Sequence, residues 1–280
     1  MTIFNLDNNA VIKVRVTDRC NFKCPYCIRR QFITDYDYDI DPKEIGRIAY
    51  EMYCNTGKRV KIDLIGGEVT LYPRIQELVD KLSAPEYIEK INITTNFELN
   101  PPTGNKLSLT ASYHPTETRY TIEEWFKKCN LLKHKFRYFK VETVRTEEST
   151  HIDKFISLAD RYSIDYMVEA DLMNPNVNVG VTNRKRNPRY KIVFDDGTEK
   201  LYTTRNAFLK EHGIDGIVMD VRNSLCSKEF DFVYIEGDKV FVCDKEPVPI
   251  REYHPNKKWR ECPRSICSLC GNISNSRNLL

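Results

Sequence analysis

The chain has 280 residues, 41% of them hydrophobic and 30% charged, with a formal net charge of +3. This composition is ordinary for a globular protein with a substantial core. The net charge is too small to indicate nucleic-acid binding by itself, although local basic patches still can. The first residues lack a secretory pattern and no run of about 18 apolar residues occurs, so we expect a cytoplasmic protein without a membrane span.

Predicted strands and helices alternate along the first 171 residues. Apolar, β-branched runs predict strands at 11–17, 59–68, 88–96, 106–115, 137–144 and 163–171. Helical patterns lie between most of them, at 41–57, 73–86, 121–134 and 147–162. Six strands joined in this way predict a parallel sheet built from βαβ units. The connection at 97–106 is short and rich in proline, so the third helix is expected to be missing.

The composition changes at 172–190, an Asn-rich stretch that predicts a domain boundary or an exposed loop. We therefore expect one domain at 1–175 and a second at 176–280. The predicted elements of the second are a hairpin at 190–202 with an Asp-Gly turn, a short helix at 204–213, and a hairpin at 230–244 that turns near Gly237.

The ten cysteines are mostly gathered into two clusters, one near each end of the chain. In a reducing compartment, clustered cysteines are more typical of metal ligands than of disulfides. Cys54 and Cys129 stand alone inside helical stretches, and we expect both to be ordinary buried thiols.

The first cluster has the spacing C-x3-C-x2-C and consists of Cys20, Cys24 and Cys27. Three thiolates can hold three irons of a [4Fe–4S] cube and leave the fourth iron open. Tyr26 precedes the last cysteine, and Gly66, Gly67 and Glu68 end the second predicted strand. On these motifs and the strand order, residues 10–171 resemble the radical S-adenosylmethionine (radical SAM) enzymes. From the residues alone, a zinc knuckle or buried thiols with a chance Gly-Gly-Glu run is the alternative.

The resemblance implies an α/β fold, a partial (β/α)6 TIM-like barrel, whose cluster binds S-adenosylmethionine (SAM) at the open iron. Reductive cleavage of SAM would give a 5′-deoxyadenosyl radical that abstracts hydrogen from a substrate. The two glycines would admit the methionine part of SAM, and Glu68 would offer its carboxylate to the ammonium group. Such an enzyme also needs an electron donor, expected to be of flavodoxin or ferredoxin type.

Parallel α/β folds place their sites at the carboxyl ends of the strands. Further SAM-binding candidates at these ends are Tyr26 in the cysteine segment and Thr95, Asn96, Ser112, Glu142 and Glu169. Candidates for a catalytic role are His114, Arg145 and Asp171. Each could instead be a solvated or capping polar residue, and His114 before a proline is also typical of a plain turn.

The second cluster resembles the auxiliary-cluster extension of radical SAM enzymes called SPASM, or its shorter form, twitch. The resemblance implies a cysteine-rich β-hairpin extension with one auxiliary [4Fe–4S] cluster. Its ligands would be Cys226, Cys243, Cys267 and Cys270, with Cys262 as a spare or an alternative. The match is partial, because Gly237 lies one position farther from Cys243 than is usual in that family. A structural four-cysteine zinc site is the alternative.

The substrate class stays open between a peptide side chain and a nucleotide or nucleic-acid base, modified by oxidation or rearrangement. The predicted barrel starts at residue 11, so we expect no leader-binding domain of the kind that peptide-modifying members of the family often carry. Segment 184–191 has five basic residues and no acid, so it could grip phosphates or be only a solvated loop. The rival hypothesis is a non-catalytic metal-binding or nucleic-acid-binding protein with a structural zinc site.

Overall fold

A computed structural model describes residues 2–5, 9–27, 29–171, 181–183, 190–193, 196–202, 225–226, 232–241, 246–255, 257 and 260–261. The strands in these ranges are β1 (Thr2–Asn5), β2 (Ala10–Thr17), β3 (Val60–Gly66), β4 (Ile88–Thr95), β5 (Leu107–Tyr113), β6 (Tyr138–Arg145), β7 (Asp165–Ala170), β8 (Val181–Thr182), β9 (Tyr190–Val193), β10 (Glu199–Tyr202), β11 (Leu225–Cys226), β12 (Phe232–Glu236), β13 (Lys239–Phe241), β14 (Val248–Pro249) and β15 (Arg260–Glu261). The α-helices there are α1 (Pro42–Thr56), α2 (Ile75–Ser83), α3 (Ile122–Leu132) and α4 (Ile152–Arg161). None of these helices combines the length and apolarity needed to cross a bilayer.

A single sheet organises the described fold, with the strand order β14-β13-β12-β2-β3-β4-β5-β6-β7-β8. Strands β2 to β7 are the six predicted strands, and each is parallel to the next. Helices follow β2, β3, β5 and β6, as the sequence predicted. This mixed α/β fold with a central parallel sheet is consistent with the predicted partial barrel, and it places the carboxyl ends of six strands along one edge.

The first helix, α1, has the ends that its sequence predicts. The Asp41 side chain accepts a hydrogen bond from the Lys43 backbone N–H at 2.9 Å and Pro42 takes the first helical position. Gly57 ends the helix with φ at 68°, a left-handed conformation that side chains disfavour. Met52 faces the core, whereas Cys54, about 200° farther around the helix, faces solvent. The prediction of a buried Cys54 was therefore wrong, while Cys129 in α3 is buried as predicted.

No helix lies between β4 and β5, and the described chain there makes a tight connection instead, as predicted. Phe97 starts it with φ at 63° and is fully buried. The Lys128 ammonium donates to the Phe97 carbonyl at 2.6 Å and so holds the turn against α3. The strained backbone lies directly after the end of β4, where two of the candidate residues are found.

The two faces of the sheet differ in character. The face toward the helices is apolar, and its β2 side chains, such as Ile12 and Val14, are fully buried. The opposite side, which we call the inner face, has a row of polar side chains that the strand register aligns across β2 to β6: Lys13, Asp63, Asn92, Ser108 and Tyr138. A closed TIM barrel fills its interior with branched aliphatic side chains. The polar inner face suits a polar ligand better than it suits a sealed core.

Both predicted hairpins of the second half are present. β9 and β10 pair around Gly197 (φ 82°), and β1 joins them as a third strand. β12 and β13 pair around Gly237 (φ 56°), and β12 also pairs with β2 in parallel, so this hairpin extends the main sheet. The helix predicted at 204–213 lies outside the described residues, and the division at residue 175 stays a prediction.

Candidate functional site

The first cysteine cluster lies on the loop that follows β2, from Asp18 to Arg29, which we call the cysteine loop. Cys24 is buried and Cys20 and Cys27 are half-buried, and all three are free thiols. The Cys27 backbone N–H donates to the Cys24 carbonyl at 3.1 Å, so the last two cysteines share one turn. Burial raises the pKa of Cys20 to about 11 and that of Cys24 to about 12. A metal centre that binds them therefore has to displace their protons.

The Gly-Gly-Glu run at the end of β3 is fastened to the start of the cysteine loop. The Gly67 N–H donates to the Thr17 carbonyl at 3.0 Å, and the Glu68 N–H donates to the Arg19 carbonyl at 2.7 Å. A Cβ on Gly67 would lie 2.3 Å from the Arg19 carbonyl oxygen, and one on Gly66 would lie 2.4 Å from that of Thr17. The chain's own backbone therefore requires both glycines, whatever else approaches them.

Glu68 joins the ends of two strands. Its side chain is buried, and Oε1 accepts from the Thr70 N–H at 3.0 Å and from the hydroxyls of Thr70 and Thr95, both at 2.6 Å. Oε2 accepts from the Asn96 N–H at 2.7 Å. Thr95 and Asn96 were predicted site residues, and the structure brings both to Glu68. Since Oε1 is occupied by three donors, Oε2 is the oxygen with room for the predicted ammonium partner.

Two further contacts hold the cysteine loop from the side of β4 and β5. The Asn96 side-chain amide donates to the Asn21 side-chain oxygen at 2.7 Å, and the Lys23 N–H donates to the Glu117 carboxylate at 3.0 Å. Sequence reasoning missed Asn21 and Glu117, because a polar loop residue gives no sign of which distant loop it will meet.

His114 lies against the same loop. Its Nδ1 lies 2.9 Å from the Tyr26 hydroxyl, and its ring contacts those of Tyr26 and Phe22. Burial lowers the pKa of His114 to about 4, so the ring is neutral at ordinary pH. The Glu117 N–H donates to the His114 carbonyl at 3.1 Å, so the predicted turn is also present. His114 thus supports the cysteine loop through Tyr26.

The remaining candidates lie at the far side of the sheet. Ser112 donates to the Glu142 carboxylate at 3.1 Å, and the Lys140 ammonium lies 3.1 Å from its other oxygen. The Asp171 N–H donates to the Arg145 carbonyl at 3.1 Å, and Glu169 is exposed on β7. Ser112 lies on β5, and the other candidates lie on or directly after β6 and β7, which places them three to five strands away from β2. They share the carboxyl edge with the cysteine loop but belong to its opposite end.

The second cysteine cluster lies largely outside the described residues, which include neither Cys243 nor Cys262, Cys267 and Cys270. The backbone of Cys226 is described and pairs with Arg260 in the two-stranded sheet of β11 and β15. Within the described ranges, no three His, Cys, Asp or Glu side chains converge as they would on a single metal ion. A [4Fe–4S] cube does not need such convergence, because each thiolate binds a different iron.

Comparisons with known proteins agree with this site. The family model of the Radical SAM superfamily matches residues 14–107, which include the cysteine loop and the Gly-Gly-Glu run. GTP 3′,8-cyclases of Staphylococcus epidermidis and Staphylococcus haemolyticus are each 37% identical over 103 residues, which cover 34% of this chain and 29% of theirs. The chain thus spans only 29% of the length of these curated relatives.

The solved structure of Streptococcus suis SuiB bound to S-adenosylmethionine supports the fold. It aligns with a TM-score of 0.50 and 14% identity, and the alignment covers 88% of this chain and 62% of SuiB. The fold and site define a parallel α/β scaffold that carries a three-cysteine loop at the carboxyl edge of its sheet. The family model and the relatives support the radical SAM superfamily over about a third of the chain and indicate an enzyme, whereas the likeness to SuiB at 14% identity shows the fold alone.

Proposed function

We propose that the chain is a radical SAM enzyme that holds a [4Fe–4S] cluster on Cys20, Cys24 and Cys27 and modifies an unactivated C–H position of a polar substrate. When bound, the cluster and SAM would supply one-electron cleavage of SAM and abstraction of hydrogen from the substrate. The observation that carries the proposal is that the loop with three free, partly buried thiols is hydrogen-bonded at its start to the Gly-Gly-Glu run, within the segment that the family model matches.

The residues around the cysteine loop would hold and orient SAM. Glu68 Oε2 would accept the methionine ammonium, since Oε1 is taken by three donors. Thr95 and Asn96 fix that carboxylate, and Tyr26 is held by His114 beside the last cysteine. The neutral imidazole adds no positive charge near the cluster, so we assign His114 a supporting role.

The inner face supports a nucleotide or another anionic substrate over a plain peptide side chain. Asp63 is already engaged by the Lys61 ammonium at 3.0 Å and by the Asn92 amide at 2.6 Å. Lys13 lies next to this pair, where the Asp63 carboxylate attracts its ammonium and the Phe232 ring lies 5.9 Å away. Burial lowers the pKa of Lys13 despite the attraction of Asp63, and a phosphate or carboxylate of the substrate would supply a further counter-charge. The relatives named GTP 3′,8-cyclase point in the same direction.

The C-terminal cysteines would form a second metal site. Support comes from the pairing of β11 with β15, in which the backbone of Cys226 pairs with that of Arg260, two positions before Cys262 in the sequence. The proposed ligands are Cys226, Cys243, Cys267 and Cys270, with Cys262 as a spare or an alternative. An auxiliary [4Fe–4S] cluster favours net oxidation, since it could accept an electron from the product radical, whereas zinc would act as scaffold.

Metal analysis of anaerobic preparations tests the proposal. Iron, sulfide and zinc are measured per chain in the wild type and in the Cys20/Cys24/Cys27→Ala variant, with the exposed Cys54→Ala as the control. We expect the triple variant to lose about four irons and the control to lose none. About four irons left in the triple variant support the auxiliary cluster, and about one zinc supports the scaffold. Equal iron in all three proteins would refute the three-cysteine site.

A further inference from the structure

We call the place where the chain enters and leaves the cysteine loop its neck, and two charged residues flank it. Asp18 lies two positions before Cys20 and Arg29 two positions after Cys27, and their side chains pair with 3.5 Å between Arg29 Nη2 and Asp18 Oδ1. Their side chains are only 15% and 10% exposed, for Arg29 and Asp18 respectively. The two ends of the loop are thus held together by a largely buried ion pair.

A third charge connects this neck to the C-terminal hairpin. Arg15 on β2 pairs with Asp18 through Nη2, and its Nη1 lies 2.8 Å from Glu236 Oε1 at the end of β12. The side chains of Arg15 and Glu236 are each 7% exposed. The Tyr234 hydroxyl donates to Glu236 at 2.7 Å, so the hairpin itself fixes the carboxylate. We call Arg15, Asp18, Arg29 and Glu236 the neck cluster.

The neck cluster balances two cations against two carboxylates in a buried place. Buried ion pairs add little net stability over apolar packing, because desolvation offsets their attraction, and their best-attested use is to fix a register. The register fixed here is that of β12 against β2, in which Glu236 pairs with Arg15. The contact joins residues 221 positions apart, so no local structure requires it.

We propose that Glu236 is a positioning residue of the SAM site, through which the C-terminal hairpin sets the shape of the cysteine loop. This inference rests on the proposed function. The hairpin carries Glu236 between Cys226 and Cys243, so the same element would bear on both metal sites. Loss of the Glu236 charge would leave Asp18 as the carboxylate partner of Arg15, draw Asp18 away from Arg29 against the hold of the Tyr38 hydroxyl, and open the neck of the loop.

The test uses the full chain, reconstituted anaerobically, with the electron paramagnetic resonance signal of the reduced first cluster titrated with SAM. Glu236→Gln keeps the side-chain shape and removes the charge. The matched control is Lys239→Gln, which changes one charge on the same hairpin at an exposed position that pairs with Glu236. We expect Glu236→Gln to keep its iron but to need about tenfold more SAM for the spectral change, as the loss of one charged hydrogen bond implies. The control should match the wild type.

A double variant shows whether the effect runs through Arg15. If it does, Arg15→Met combined with Glu236→Gln should be no worse than the stronger single variant, because the shared contact can be lost only once. Tyr234→Phe, which removes one hydrogen bond to Glu236, should shift the titration in the same direction by less, and it serves if Glu236→Gln fails to fold.

This inference alone is overturned if the wild type responds to SAM and Glu236→Gln needs the same SAM concentration as the wild type. It is also overturned if the effects of Arg15→Met and Glu236→Gln add in the double variant. A wild type whose cluster signal ignores SAM would overturn the proposed function and the inference with it.

Discussion

Replacement of Gly67 by alanine is the sharpest structural test of the site. The added Cβ would lie 2.3 Å from the Arg19 carbonyl oxygen and 2.9 Å from that of Asp18, and no side-chain rotation can relieve a clash with backbone. The Gly-Gly-Glu run and the start of the cysteine loop must then move apart, which breaks the Gly67–Thr17 and Glu68–Arg19 hydrogen bonds. Two lost hydrogen bonds and the overpacking together should lower the free energy of unfolding by about 3–5 kcal/mol.

The assay is urea unfolding under anaerobic conditions, together with iron content per chain. Gly46→Ala is the control, since its Cβ would lie 3.8 Å from the Tyr87 hydroxyl, an ordinary contact, and alanine favours a helix over glycine by about 1 kcal/mol. We expect Gly67→Ala to lose both stability and iron on the first site, and Gly46→Ala to keep both. A Gly67→Ala protein with the wild-type unfolding midpoint and full iron would refute the reasoning.

Three further predictions concern buried polar groups. Glu68→Gln should lower the free energy of unfolding by about 1–3 kcal/mol, because an amide NH2 then faces a buried donor such as the Asn96 N–H. Urea unfolding checks this, with Glu77→Gln at an exposed position as the control. Equal losses of stability in the two variants would contradict the prediction. Lys13→Met should weaken binding of an anionic substrate such as a nucleoside triphosphate, measured by calorimetry, and unchanged affinity would favour a substrate without that charge. Burial lowers the pKa of His114 in the folded protein to about 4, against the usual 6.5. The free energy of unfolding, measured against pH, should therefore be greatest above pH 6.5 and fall by at most about 3 kcal/mol as the pH drops toward 4. The same fall in His114→Gln would show that another group causes it.

Local patterns in the sequence were enough for the first half of the fold. β-branched runs and capped amphipathic segments define β2 to β7 and the four helices, and the prolines at 101 and 102 explain why no helix joins β4 to β5. Cys54 was misplaced because it lies within a helix whose buried stripe passes through Met52 instead. The helical period could have separated the two positions, whereas residue type alone could not.

Contacts between distant segments were not predictable in the same way. The pairing of β12 with β2, and with it the Arg15–Glu236 contact, joins residues more than 200 positions apart. Neither the sequence of β2 nor that of β12 indicates which strand the other will pair with. The same holds for Asn21 and Glu117, which hold the cysteine loop yet resemble any solvated loop residue. The motif cysteines and Gly-Gly-Glu were identifiable because their spacing itself carries the chemistry.

The formation of 5′-deoxyadenosine tests the central claim most directly. The wild type and the Cys20/Cys24/Cys27→Ala variant are reconstituted anaerobically, reduced with dithionite in the presence of SAM, and the nucleoside is quantified. The account predicts 5′-deoxyadenosine from the wild type and none above background from the variant, even where the variant retains metal at its C-terminal cysteines. An iron-loaded wild type that forms no 5′-deoxyadenosine, or a triple variant that forms as much as the wild type, would contradict it.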